Sequence, residues 1–174
     1  MSDKKIGGAG LRGQSAGETS LCTVGKSGSG LTYCGYDVSD LAENATFEEV
    51  AYLLFNGELP TVAQLAEYKA ELLVMRDIPQ ALKEVLKLIP KDAHPMDVMR
   101  TGCSFLGNVE PEVDFSEQNK AANRLLAAFP AIMCYWYNYS HNNTEIDCMT
   151  DEESLGGHFL RLLNQEEPSE QHKR

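Results

Sequence analysis

A mainly α-helical fold with one small β-hairpin near its start is predicted by three features of the 174-residue sequence. From about residue 46 onward, apolar residues recur at three- and four-residue steps, the period that draws one stripe along a helix. The same region repeatedly places Glu or Gln three positions after a hydroxyl residue, a pairing that closes a helix N-terminus. Ahead of it, the β-prone runs TSLCTV and LTYCGY flank the turn-forming GKSGSG and read as a hairpin.

Residues 1–19 are glycine-rich and are expected to form a loose arm, so the folded region is expected over 20–174. After the hairpin, FEEVAYLLFNG is a helix with Thr46 as N-cap, Glu49 closing the capping box and Gly57 as terminator. TVAQLAEYKAELLVMR repeats the device with Thr61 and Gln64. PQALKEVLKLIP is expected to start with Pro79 at the first helical position and to stop before Pro90. Pro95 suits another first turn, after which Met96, Met99, Cys103 and Leu106 are expected on one packed face. Ser116 is expected to cap a long helix through NRLLAAFPAIMCYWYNYSHN, kinked at Pro130. Thr150 and Glu153 are expected to box the last helix, within DEESLGGHFLRLLNQ. Its Gly156-Gly157 pair is poor for helix propensity and suggests that another backbone packs close. No internal repeat or domain linker is visible, and the tail EEPSEQHKR is polar.

Composition excludes several functions. With 15 basic and 26 acidic residues the net charge is −11, which repels nucleic acid and anionic membranes, and no basic patch offsets it. The acidic groups Asp151-Glu152-Glu153 and Glu166-Glu167 read as solvated helix ends. MSDKKIGGAGLRG lacks the apolar core of a secretory signal. LLAAFPAIMCYWY is too short to span a bilayer and is broken by Pro130. Five cysteines without a C-x-x-C pair argue against a disulfide framework and a structural zinc site, and suit a reducing cytoplasm.

The motifs that suggest chemistry are weak. Gly8, Gly10 and Gly13 match G-x-G-x-x-G, but neither the preceding strand nor the following helix is there to cradle a phosphate. Gly25-Lys26-Ser27 imitates a P-loop, yet position 20, where that motif needs glycine, is Ser20. His94, His141, His158 and His172 stand at no metal-ligand spacing from one another or from cysteine. No Gly-x-Ser-x-Gly elbow is present. The sequons at Asn44, Asn138 and Asn142 carry no meaning in a cytosolic protein. HPMDVMRTGCSFLG (94–107) places Arg100 six residues after His94. His94 is expected to bond backbone at a helix start, and Arg100 suits an acidic neighbour as well as a ligand.

The ordered blocks GETSLCTV, YCGYDVSDLAENATFEEVAYLLFNGELPT and HPMDVMRTGCSFLG resemble the N-terminal part of the citrate synthase family. Within it, SLCTVGKSGSGLTYCGYDV, YWYNYSHN and GGHFLRLLNQEEPS are most similar to the bacterial 2-methylcitrate synthases. The resemblance covers nearly the whole chain from Gly10 onward. It implies an all-α homodimer whose large and small domains enclose the active site in a cleft. Family enzymes condense an acyl-CoA with oxaloacetate; this subgroup takes propionyl-CoA to 2-methylcitrate in propionate breakdown, and plain citrate synthases take acetyl-CoA. The reaction needs a carboxylate base for the thioester α-proton, histidines to stabilise the enolate and polarise the ketone, and arginines for the oxaloacetate carboxylates.

In the family all those residues, and the CoA-binding segment, lie C-terminal to the region matched. The resemblance therefore transfers no catalytic, cofactor-binding or metal-ligating residue to this chain. It implies a fragment inactive alone, with acyl-CoA as a substrate of the whole enzyme rather than a bound cofactor, and with apolar faces left exposed. It also implies that the helices at 79–90 and 95–107 contribute to a subunit interface, which makes His94 structural. One departure stands at Cys34, where the family usually has arginine; any role of that arginine is in doubt here. A free-standing helical dimerisation module without catalysis is the remaining alternative.

Overall fold

The computed structural model describes residue 15, residues 17–25 and residues 30–169. Gly8, Gly10, Gly13, Lys26, Ser27 and His172 lie outside the described residues, as does most of the expected arm. The chain divides into two compact units, Met1–Asn44 and Ala45–Arg174.

The first unit holds β1 (Cys22–Thr23), β2 (Thr32–Tyr33), β3 (Tyr36–Asp37) and helix α1 (Val38–Asn44). The strands form one antiparallel sheet in the order β1-β2-β3. The expected hairpin is thus one strand richer, because LTYCGY folds back on itself. Tyr33 pairs with Tyr36 across Cys34 and Gly35, whose φ values are 47° and 92°. Two left-handed central residues give a two-residue turn the twist that its flanking strands need. Glycine adopts that geometry freely, whereas Cys34 must hold a Cβ there. The Cys34 N–H donates to Leu21 O at 2.8 Å, and the Thr23 and Thr32 hydroxyls meet at 2.5 Å. Asp37 Oδ1 accepts the Ser39 N–H at 2.8 Å as the chain enters α1.

The second unit is helical: α2 (Phe47–Asn56), α3 (Val62–Val74), α4 (Gln80–Lys87), α5 (Pro95–Val109), α6 (Gln118–Asn142) and α7 (Leu155–Asn164). Two of the three expected capping boxes form. Thr46 Oγ1 accepts the Glu49 N–H at 3.3 Å while Glu49 Oε2 accepts the Thr46 N–H at 2.7 Å. Thr61 and Gln64 repeat the exchange at 3.3 and 2.8 Å. Gly57, at φ 83°, closes α2 by donating its N–H to Leu53 O.

Other boundaries differ from expectation. Pro79 is the N-cap of α4, not its first helical residue, and its carbonyl accepts from Leu82 and Lys83. Asp114, not Ser116, does the capping before the long helix. Its Oδ1 accepts the Ser116 N–H at 2.8 Å and opens a 3-10 turn over Phe115–Glu117 that runs into α6. Ser154, not Thr150, caps α7 by accepting the Gly157 N–H at 2.9 Å. In both cases the competing hydroxyl is out of register: a cap must sit immediately before the first turn to reach its orphan N–H groups.

The core is built around α6, which packs against α3, α4, α5 and α7. Leu82 and Leu86 of α4, Val98 and Leu106 of α5, and Leu162 of α7 bury against its Ala128, Ala131, Ile132 and Tyr135. A second cluster joins Ala51 of α2, Tyr68 and Leu72 of α3, Ala127 of α6 and Leu155 of α7. Of the expected four-residue face, Leu106 is buried and Met99 packs against the core, but Met96 is 66% exposed and the buried stripe of α5 is Val98, Gly102 and Leu106. The reason is steric. A Cβ on Gly102 would stand 2.6 Å from Ile132 Cγ2, so α5 turns its glycine toward α6 to let the two helices approach.

The Gly156-Gly157 pair has a different explanation from the one expected. Among the described residues no backbone packs there: a Cβ at Gly156 meets nothing within 4 Å, and one at Gly157 would stand 2.9 Å from Glu152 Oε2 and from the Ser154 cap. Gly102→Ala should therefore destabilise the protein by about 1–3 kcal/mol through overpacking. Gly156→Ala should instead stabilise it by up to about 1 kcal/mol through helix propensity. Urea unfolding of the two variants beside the wild type checks both signs.

Candidate functional site

The two residues that open α5 each have a local partner. His94 is the N-cap, and its Nδ1 accepts the Met96 N–H at 3.1 Å. Arg100 pairs with Asp97 at 3.1 Å, one helical turn back, with both side chains largely in water. The backbone bond of His94 is the one expected from the sequence, and of the two partners left open for Arg100 the acidic neighbour is the one it meets. His141 stacks on Tyr137 with ring centroids 4.6 Å apart and meets Ser140 Oγ at 2.8 Å. Asn138 is buried, and its Nδ2 donates to Cys134 O and Leu162 O at 3.0 Å each. Among the described residues no group of three His, Cys, Asp or Glu side chains could hold a metal ion. No helix among them is long and apolar enough to cross a membrane.

The concentrated polar chemistry lies inside the helical unit, at Glu48 and Arg76, which no sequence motif singled out, and at His158, which the sequence raised only as a metal ligand. Arg76 is 1% exposed, Glu48 2% and His158 0%. Glu48 sits in the first turn of α2, and its Oε1 accepts the N–H of Leu155 at 2.7 Å. That N–H belongs to the first residue of α7 and has no acceptor within its own helix. A carboxylate there also meets the positive end of the helix dipole. Arg76 follows the end of α3 and donates Nη1 to Glu152 O at 2.5 Å and Nη2 to Glu153 O at 3.3 Å. Thr150 Oγ1 lies 2.9 Å from His158 Nδ1. Three elements, α2, the end of α3 and the approach to α7, are thus held by one buried polar cluster.

Its charge states follow from that enclosure. Burial pulls the Arg76 pKa below the ordinary arginine value, with the Glu48 and Glu152 carboxylates opposing the shift. Burial, and then the nearby Arg76 charge, lower the His158 pKa from 6.5 to about 4. His158 is therefore neutral near pH 7, and it has no exposed surface through which to meet a substrate. Close by, Tyr68 donates its hydroxyl proton to Asn123 Oδ1 at 3.0 Å, and burial raises its pKa to about 12. These groups hold helices in place.

Near the surface lie an ionic brace on α4 and an apolar cavity. Lys87 of α4 reaches Glu145 at 2.7 Å and Glu84 at 3.1 Å, and Tyr135 donates to Glu145 at 3.2 Å. A cavity of about 460 Å³ is lined by Phe47, Met99, Phe129, Met133, Leu155 and Phe159, among others. These side chains offer neither an acid nor an anion-binding group, so the cavity suits apolar packing rather than chemistry.

The family model described as "Citrate synthase, C-terminal domain" matches residues 10–174. The chain belongs to the citrate synthase family. The 2-methylcitrate synthase of Shewanella oneidensis is 69% identical over 173 residues, which are 99% of this chain and 46% of that protein. The citrate synthase of Haloferax volcanii is 33% identical over 170 residues, covering 92% of this chain and 44% of its own length. The chain thus spans less than half the length of both relatives. The crystal structure of citrate synthase from Thermotoga maritima superposes with a TM-score of 0.78 at 30% identity, covering 95% of this chain and 43% of that one. Citrate synthase from Thermoplasma acidophilum, solved with carboxymethyl coenzyme A and oxaloacetate, superposes at 0.82 with 21% identity over 92% of this chain and 42% of its own. That last likeness is one of fold. The expectation of a helical citrate synthase-like fold with a small β element holds.

Two tests follow from the buried cluster. Arg76→Met should cost about 3–5 kcal/mol, because it leaves the Glu48 carboxylate buried without its countercharge. Adding Glu48→Gln, which keeps an acceptor for Leu155, should recover much of that loss in denaturant unfolding. His158 supplies the second test. Its folded-state pKa lies below its unfolded one, so as pH falls the unfolded chain takes up the proton first. The stability of wild type relative to His158→Gln should fall by about 1.4 kcal/mol per pH unit between about pH 6.5 and 4. Parallel unfolding curves at several pH values check this; a constant difference would contradict it.

Proposed function

We propose that this chain supplies the N-terminal part of a 2-methylcitrate synthase, the whole enzyme condensing propionyl-CoA with oxaloacetate to give 2-methylcitrate and CoA. The observation that carries this reading is the 69% identity with a 2-methylcitrate synthase over 99% of the chain, against 33% with the citrate synthase of Haloferax volcanii. Acyl-CoA then acts as substrate, and the chain holds no resident cofactor. The condensation needs a base, oxyanion donors and carboxylate-binding cations around one accessible point. The buried ionisable residues described above hold helices instead, so the catalytic groups are proposed to lie outside these 174 residues. Homodimerisation in a reducing cytoplasm belongs to the same proposal, with the exposed sides of α4 and α5 as the candidate interface.

A second reading, condensation of acetyl-CoA, is supported by the citrate synthase of Mycolicibacterium smegmatis, 42% identical over 127 residues. Loss of the thioester absorbance, rather than a thiol dye that the five cysteines could disturb, separates these readings. The isolated chain should consume neither thioester above a catalyst-free control. The full-length gene product should turn over propionyl-CoA in preference to acetyl-CoA. Turnover by the isolated chain would refute the placement of catalysis elsewhere, and a preference for acetyl-CoA would favour the second reading.

A further inference from the structure

Asn56-Gly57 is the one Asn-Gly pair in the chain. An asparagine followed by glycine readily loses its side-chain amide, because the next backbone nitrogen can reach the side-chain carbonyl carbon and glycine has no Cβ to obstruct it. Both residues are exposed, so water is at hand. The fold nevertheless places them where that reach fails. Asn56 is the last residue of α2, and Gly57 turns the chain out of the helix at φ 83°. The Gly57 N–H donates to Leu53 O at 2.7 Å, and Asn56 Nδ2 donates to Tyr52 O at 2.9 Å. The first bond commits the attacking nitrogen. The second holds the side-chain amide back along the preceding turn.

We propose that Asn56 is a site of spontaneous deamidation that the last turn of α2 keeps closed while the protein is folded. In the reaction the Gly57 nitrogen bonds to Asn56 Cγ and the Cγ–Nδ2 bond breaks. The Gly57 amide proton leaves with the side-chain nitrogen as ammonia. Water then opens the cyclic imide at either carbonyl, which leaves an aspartate in the normal linkage or an isoaspartate joined through its side chain. Ring closure requires the Asn56 backbone to leave helical geometry, and that movement pulls the Gly57 N–H off Leu53 O. The modification is thereby coupled to opening of the end of α2, a local event that does not need the whole unit to unfold. Reclosing does not undo it. An isoaspartate adds a backbone atom before Gly57 and displaces the closing N–H, and either product sets a carboxylate at the negative end of the helix dipole. Position 56 thus records the time that the chain has spent open. The argument rests on α2 and is independent of the reaction assigned to the whole enzyme.

The test incubates the unsubstituted protein near neutral pH, once folded and once in urea, and follows the mass gain at each asparagine by peptide mapping. In urea Asn56 should convert before the other asparagines. Gly57→Ala should slow that conversion in urea, where a folding defect of the variant has no bearing. In the folded protein Asn56 should convert about tenfold more slowly than in urea, or slower still. Equal rates in the two states would overturn the closure by α2. Conversion in urea no faster than at Asn108 or Asn164, or unchanged by Gly57→Ala, would overturn the site itself.

Discussion

A guanidinium taken out of water and placed beside the start of α7 is the constraint on which the helical unit turns. Arg76 cannot shed its proton, so its surroundings must satisfy it. The backbone does so with the carbonyls of Glu152 and Glu153, and Glu48 does so with charge. Each solution has a structural consequence. The carbonyls tie the segment before α7 to the end of α3, and Glu48, whose charge acts on Arg76, reaches across from α2 to take the first N–H of α7. Residues more than a hundred positions apart are thereby fixed to one another through groups that would be costly to leave unpaired.

Around this polar cluster the apolar packing is organised by α6. It is long enough to give each neighbour its own stretch of contact, and it brings small side chains, Ala127, Ala128 and Ala131, to the places where those neighbours press closest. Gly102 answers from α5 by giving up its side chain where Ile132 needs the space. The apolar cavity bordered by α2, α5, α6 and α7 lies on the same framework. Its lining is chemically uniform, as expected of a surface shaped for packing. The ionisable groups buried in this framework place helices.

Local chemistry was legible in the sequence wherever a single residue decides it. Thr46 with Glu49, Thr61 with Gln64, Gly57 and the His94-Pro95 start all act within one helical turn, and each behaves as its residue type requires. The failures share a cause. Ser116 and Thr150 are sound capping residues, but Ser116 falls inside the 3-10 turn and Thr150 too far ahead of α7, so Asp114 and Ser154, each directly before its turn, take the role. The LTYCGY turn needs Cys34 at a positive φ, a conformation that residue seldom signals. Gly102 and the buried cluster depend on contacts distant in sequence. Arg76 did carry a faint signal, an arginine directly after the apolar run LLVM. Nothing local in Glu48 or His158 shows that the fold would bury them beside it. The family itself was legible from ordered motifs, which physical reading of single residues could not have supplied.

If the buried cluster is what seats α7, the Leu155 amide is its most direct reporter, because Glu48 accepts that proton at 2.7 Å across α2 and α7. Native-state hydrogen exchange resolved at Leu155 is the decisive measurement. Its exchange should be as slow as that of core amides in α6, released only when the helical unit opens as a whole. Exchange at the rate of an ordinary exposed helix start would show that α7 frays independently, and would contradict the claim that this contact holds the unit together.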